Sequence, residues 1–158
     1  MNQIDWHLTL YGDHSQRHQY RRWLNLPSLA ERVTLAGCVT QPELARGYNQ
    51  ADLYVVSSRV ETANVSMLQA LACGTPIITT RCHAPETLID DTVGLTVPVD
   101  DPSALANAIV QFARDHRFER ANNRRFVQQH YASDVVGAKM LQAYQLAMSK
   151  LPVFAHGR

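Results

Sequence analysis

The most polar connection in the chain is Ser57-Ser-Arg-Val-Glu-Thr-Ala-Asn-Val-Ser66, and it leads into an apolar run that reads as a helix. A helix opening there presents unpaired backbone N–H groups at Ala63 to Ser66, with the positive end of its dipole, to whatever lies above it. A phosphate suits that environment. Two readings stand side by side: the amides receive an anion, or the Asn64 and Ser66 side chains cap their own helix. Glu61 precedes the helix, and Gln69 lies one turn beyond Val65 on nearly the same face, so both can look into one cleft. Other chemistry is poorly supplied. His14 and His18 are four apart but have no carboxylate or thiol at ligand spacing, so no metal site is expected. Cys82 and His83 are adjacent in a strand-like stretch and should face opposite ways. No Ser-His-Asp or Cys-His set stands out.

The elements that must position these residues alternate in type. Strands are expected at Trp6–Gly12, Val33–Gly37, Ala51–Ser57, Pro76–Thr80 and Gly94–Val99, from β-rich runs closed by Gly, Pro or polar residues. Helices are expected between them: about Ser15 to Leu26, stopped by Pro27; Gln41 to Asn49 after Thr40 as a cap; about Ala63 to Cys73, ended by Gly74 and Pro76; and a short one from Pro85 to Asp90. Asp100 and Asp101 with Pro102 open a helical remainder that runs to Lys150. Strands separated this way by helices predict an α/β fold, a doubly wound parallel sheet of about five strands covered on both faces. One domain over 1–150 and a loose tail over 151–158 follow, since no linker or repeat divides the chain. Ligands of such sheets bind past the carboxyl ends of the strands, where the 57–66 loop lies.

Composition bounds the partners. The 158 residues are 46% hydrophobic and carry 15 Lys and Arg against 14 Asp and Glu, a net charge of +1. That charge is too small to grip nucleic acid by itself. Cys38, Cys73 and Cys82 lack metal spacing and are expected to be buried free thiols in a reducing compartment. No apolar run reaches membrane-spanning length, and the first residues lack a secretory layout, so a cytoplasmic protein is expected.

Taken in order, Ser58-Arg-Val-Glu61, seven residues, Gln69-Ala-Leu-Ala-Cys-Gly74-Thr-Pro76, then Pro85-Glu86 and Gly94-Leu-Thr-Val, resemble the donor-binding domain of the retaining glycosyltransferase family 4. Tyr11-Gly-Asp13, Arg32-Val-Thr-Leu-Ala-Gly37 and Ala51-Asp-Leu-Tyr-Val-Val-Ser57 extend the likeness from about Leu8 to Tyr144. The resemblance implies one Rossmann-like half of a GT-B enzyme. The function it implies is retaining transfer of a hexosyl group from a UDP- or GDP-type sugar to a glycan or lipid-linked acceptor, as in polysaccharide or lipopolysaccharide synthesis. No cofactor and no protein nucleophile are implied. Glu61 is the expected catalytic residue, hydrogen-bonding donor-sugar hydroxyls. Thr62 and Asn64 stand where relatives carry glycines. Ala63, Asn64, Val65 and Ser66 align with the segment that holds the diphosphate, and Gln69 replaces a glutamate that takes the ribose, without its charge assistance. Gly37, Cys38 and Val39 match the loop beside the nucleobase, and His83 a loop lining the sugar pocket. Arg59 is either a phosphate cation or a solvated surface residue. Glu86 is expected to steady its helix and loop.

The likeness also implies absences. The family's preceding strand, with a Gly-Arg-Leu segment and a lysine that grip phosphate, has no counterpart here, and neither has the acceptor domain. The chain is therefore expected to be a fragment, inactive alone, whose sheet must close up, twist or borrow a strand where the central one is lacking. Two alternatives remain open at this point: a non-catalytic nucleotide- or protein-binding module, favoured by Gln69, Thr62 and Asn64, and a sugar-nucleotide epimerase relative. Arg114, Arg117, Arg120, Arg124 and Arg125 read either as a face for anionic lipid at the inner membrane or as a solvated face with i, i+4 pairs. The stripe Val136, Met140, Ala143, Tyr144 and Ala147 must fold onto the domain or stay exposed and invite self-association.

Overall fold

A computed structural model describes residues 4–13, 24–115 and 117–150. The His14/His18 pair, most of the helix expected over 15–26 and the tail 151–158 lie outside the described residues. Five strands form: β1 Leu8–Tyr11, β2 Val33–Gly37, β3 Tyr54–Val56, β4 Ile77–Thr80 and β5 Gly94–Val97. Between them run α1 Pro27–Ala30, α2 Gln41–Gln50, α3 Val65–Ala72 and a single 3-10 turn at Pro85–Thr87; α4 Pro102–Asp115, α5 Arg120–Tyr131 and α6 Ser133–Lys150 follow. Pro27 opens a short helix where the sequence suggested a stop, as proline can when its missing N–H falls in the first turn.

All pairings are parallel, as expected, but the sheet is divided. β1 pairs only with β2, while β3, β4 and β5 form a second sheet in that order. The single five-stranded sheet is thus corrected to two and three, and the strands on either side of the division do not pair.

Most of the core belongs to the three-stranded sheet. Its middle strand β4 is buried at every residue, and its side chains alternate between two clusters. Ile77 joins Val56, Met67, Ala70, Leu71, Ile89 and Val93 beneath α3 and α5. Ile78 joins Val97 and Ala108 beneath α4. β1 and β2 contain no fully buried residue.

Helix ends are satisfied by specific side chains. The Glu43 carboxylate accepts from Thr40 N (2.8 Å) and Thr40 Oγ1 (2.7 Å) at the start of α2. Gly74 ends α3 with φ +91°, and a Cβ there would lie 2.9 Å from the Arg120 carbonyl oxygen. Arg120 donates to the carbonyls of Tyr48, Asn49, Ala51 and Cys73, and Arg124 to those of Cys73 and the Asn49 side chain. Buried Asn123 donates to Gly74 O (3.0 Å). α5 thereby clasps the carboxyl ends of α2 and α3, where free carbonyls and the negative ends of two dipoles favour a cation.

Two sequence readings change accordingly. Arg120 and Arg124 bind helix-end carbonyls and form no i, i+4 ion pair; the ion pairs among the described residues are Arg32–Asp5 and Arg59–Asp100. The α6 stripe stays exposed, with Met140 at 52% and Tyr144 at 63%. Of the thiols, Cys82 is buried, Cys73 half-buried and Cys38 exposed, so burial fails for Cys38. No helix among the described residues is long and apolar enough to cross a membrane.

Arg120→Ala should destabilise the fold by roughly 2–4 kcal/mol, since several carbonyls lose a charged donor together. Denaturant unfolding measures this, and a loss under about 0.5 kcal/mol contradicts the clasp. Burial pushes the Tyr48 phenol from 10.0 up to about 12, with Tyr54 adding to the shift and Ser66 opposing it. The unfolded state therefore ionises first as pH rises, so stability present below pH 10 is lost between pH 10 and about 12. Tyr48→Phe should flatten that alkaline fall in melting temperature; an unchanged profile counts against it.

Candidate functional site

Parallel pairing puts the carboxyl ends of β3, β4 and β5 along one edge, and the 57–66 loop crosses it. The loop is tied to β4 from below. Buried Thr80 donates through Oγ1 to Ser58 O, and Glu61 N donates to Cys82 O (3.1 Å), which pairs Glu61 with His83 in an isolated parallel bridge. Glu61 is half-buried, and its Oε1 accepts from Ser58 Oγ (2.8 Å) and Asn64 Nδ2 (3.4 Å). Oε2 has no partner among the described residues. The carboxylate is oriented through one oxygen and available through the other.

Asn64 caps α3: its Oδ1 accepts from Met67 N (2.9 Å) and from Ser66 Oγ (2.7 Å). The capping reading is therefore realised, but it uses one amide. The N–H groups of Ala63, Val65 and Ser66 have no partner among the described residues. Val65 is 61% exposed, so its side chain does not plug the helix mouth. Both readings of the loop hold together: a self-capped helix still offers free donors.

Behind the mouth stands Tyr54, whose hydroxyl meets Ser66 Oγ at 2.7 Å and whose ring packs edge-on to Tyr48 at 5.6 Å. Burial, then the Glu61 charge, raises its phenol while Ser66 opposes the shift. From the sequence, Tyr54 belongs to the strand expected over Ala51–Ser57, and nothing there marks it as part of the site. Its spacing of twelve residues from Ser66 follows from the β3–α3 turn.

The remaining candidates separate. Thr62 and Ala63 are exposed on the loop, and Gln69 is half-buried on α3 with no side-chain hydrogen bond among the described residues. Arg59 is exposed and donates through Nε to Asp100 Oδ1 at 2.6 Å, a partner the sequence did not suggest. His83 is exposed with φ 84°, its amide held by Glu86 Oε1 (2.9 Å), so Glu86 does steady that loop. As expected, Cys82 faces in and His83 out. Gly37, with φ +72°, ends β2 in the other sheet and half-buried Val39 follows it, and no hydrogen bond joins them to the Glu61 cluster. Among the described residues no group of three or more His, Cys, Asp or Glu could hold a metal ion. A shallow cavity of about 360 Å³ at the opposite end of β1 and β2 is lined by Asp5, Trp6, His7, Glu31 and Arg32. Its arginine is already engaged by Asp5 and by the Trp6 carbonyl.

Parallel strands, helices on both faces and a polar strand-to-helix loop with free amides define a Rossmann-like domain of the GT-B type. The chain belongs to the glycosyl transferases group 1 family, whose model matches residues 1–115. A D-inositol 3-phosphate glycosyltransferase of Paenarthrobacter aurescens is 30% identical over 156 residues, 95% of this chain and 38% of that protein. The lipopolysaccharide core biosynthesis glycosyltransferase LpsE of Rhizobium meliloti is 32% identical over 113 residues, 70% of this chain and 32% of that one. Among solved structures, sucrose-phosphate synthase from Thermosynechococcus elongatus superposes with a TM-score of 0.75 at 30% identity, covering 90% of this chain and 39% of the other. The Anabaena protein HepE in complex with UDP superposes with a TM-score of 0.74 at 21% identity, covering 90% and 41%. The chain spans about two fifths of the relatives it matches over its whole length.

Replacing Asn64 by Ala removes the cap and one Glu61 contact, and should lower stability by about 1 kcal/mol. Asn64→Asp should retain most of it. Equal melting temperatures for wild type and Asn64→Ala would contradict the cap.

Proposed function

We propose that this chain is the nucleotide-sugar half of a retaining hexosyltransferase, working in the cytoplasm as part of a longer protein that supplies the acceptor-binding domain. The observation that carries the reading is the pairing of free amides at Val65 and Ser66 with a Glu61 carboxylate pinned through one oxygen. Relatives named as glycosyltransferases and a UDP-bound neighbour of the same fold support it. Free thiols at Cys38, Cys73 and Cys82 suit a reducing compartment.

In this reading the amides and the α3 dipole receive the donor diphosphate of a UDP- or GDP-type sugar, and the unpartnered Glu61 oxygen accepts from sugar hydroxyls. Gln69 accepts from the ribose through its amide oxygen, more weakly than a carboxylate. The acceptor hydroxyl then attacks the anomeric carbon from the face the diphosphate leaves. The new C–O bond forms as the old one breaks, and the departing electron pair goes to the diphosphate oxygen, which takes the acceptor proton. No protein nucleophile enters. The protein's part is to hold the geometry and stabilise charge growing on the leaving group. The chain spans about two fifths of the relatives it matches over its whole length, and by itself should transfer no sugar.

Titration calorimetry with UDP and GDP tests the site. Val65→Pro deletes one amide at a first-turn position where proline fits a helix, and should weaken UDP at least tenfold while the melting temperature moves by only a few degrees. Glu61→Gln should leave UDP affinity within about twofold, yet reduce turnover of the sugar donor by roughly a hundredfold in the full-length protein. UDP affinity unaffected by Val65→Pro would refute the cradle.

A further inference from the structure

Among the described residues two that are not glycine adopt left-handed backbone, His83 (φ 84°) and Asp100 (φ 55°). Such conformations cost free energy and gather at functional sites. Both leave the carboxyl ends of strands in the three-stranded sheet, and both hold the 57–66 loop. His83 does so through its backbone bridge to Glu61, and Asp100 through its 2.6 Å ion pair with Arg59. Arg59 is the single cation of the loop, two residues before Glu61. A strained turn thus presents a carboxylate to the one loop charge an anionic ligand would recruit.

We infer that Arg59 and Asp100 form a releasable latch: the Arg59 guanidinium rests on Asp100 in the empty site and transfers to the diphosphate when the donor binds. The inference rests on the donor-site reading above and adds a cation to it. Both side chains are largely exposed, at 80% for Arg59 and 61% for Asp100, and pairs in that setting are weak. A diphosphate carries more charge than one carboxylate and offers oxygens that suit the guanidinium fork, so the exchange is downhill. Asp100 then sets affinity by competition. It also keeps the loop in place while the site is empty, a role distinct from the Ser58 and Asn64 contacts that orient Glu61. Arg81, exposed just past the carboxyl end of β4, is another cation on this edge and serves as the control.

Calorimetric titration with UDP and with uridine, which lacks the diphosphate, tests the latch. Asparagine tolerates left-handed backbone as aspartate does, so Asp100→Asn keeps the turn and removes the competitor. It should tighten UDP up to about fivefold and leave uridine unchanged. Arg59→Gln should weaken UDP about tenfold, again sparing uridine, and Asp100→Asn in that background should have no further effect. UDP affinity insensitive to both substitutions, or dependent on Arg81→Gln instead of Arg59→Gln, overturns the latch while leaving the donor site intact if Val65→Pro still weakens binding at least tenfold. Binding of neither UDP nor GDP by the wild type, in the chain and in the full-length protein, overturns the donor site and the latch together.

Discussion

A helix that begins against the end of a buried strand exposes amides that no carbonyl within the helix can reach, and the site follows from how the chain treats those at residues 63–67. Asn64 takes the Met67 amide, and the hydroxyls of Ser66 and Tyr54 hold Asn64 in turn. What is left over is as important as what is satisfied. The Val65 and Ser66 amides remain donors because their neighbours are occupied with each other, and an unsatisfied N–H in a partly shielded place is attracted to any anion that arrives. The cap therefore does two things at once: it keeps the helix formed, and it fixes the direction in which the free amides point.

The strength of that cradle depends on what lies behind it. β4 is buried along its whole length, and Thr80 and Cys82 at and beyond its end supply the donor and the acceptor, respectively, that hold the 57–66 loop. α3 is pressed onto β4 by Met67, Ala70 and Leu71, and its far end is closed by Gly74 and by arginines from α5. A ligand cradle made of main chain is only as well placed as the elements carrying it, so distant contacts such as Arg120 belong to the site's precision. The half of the fold with no buried residue, β1 and β2, lacks this support. Of the candidate site residues, those expected beside a nucleobase, Gly37 and Val39, lie there.

Much of this was legible in the chain itself. Five strands, the cap at Asn64, the glycine stop at Gly74 and the Glu61 loop can be read from local chemistry, because each is decided within a few residues. What escaped depends on contacts between distant segments. Arg120 and Arg124 look like surface charge until α5 is seen to land on two helix ends about 70 and 50 positions earlier. Asp100 is 41 residues from Arg59, and Tyr54 faces Ser66 only because the chain reverses between them. The division of the sheet was anticipated as a difficulty, but its outcome could not be read, since strand pairing across a gap is decided by geometry outside any motif. The α6 stripe has the period of a buried helix, yet periodicity cannot say whether a covering surface exists.

The same logic bears on how, in the proposed reading, a site with so few cations would take a diphosphate. Side-chain cations carry full charge but are long, solvated and shared with competing carboxylates, as Arg59 is with Asp100. Main-chain amides carry partial charge but lose little freedom on binding, and substitutions other than proline leave them in place. Departures at Thr62, Asn64 and Gln69 from the pattern this sequence resembles therefore alter the fringe more than the centre. Thr62 stays exposed, Asn64 supplies the cap, and Gln69 keeps an acceptor oxygen. On the proposed reading, the donors that would face developing negative charge belong to the backbone of residues 65 and 66, and no side chain other than proline at those positions removes them.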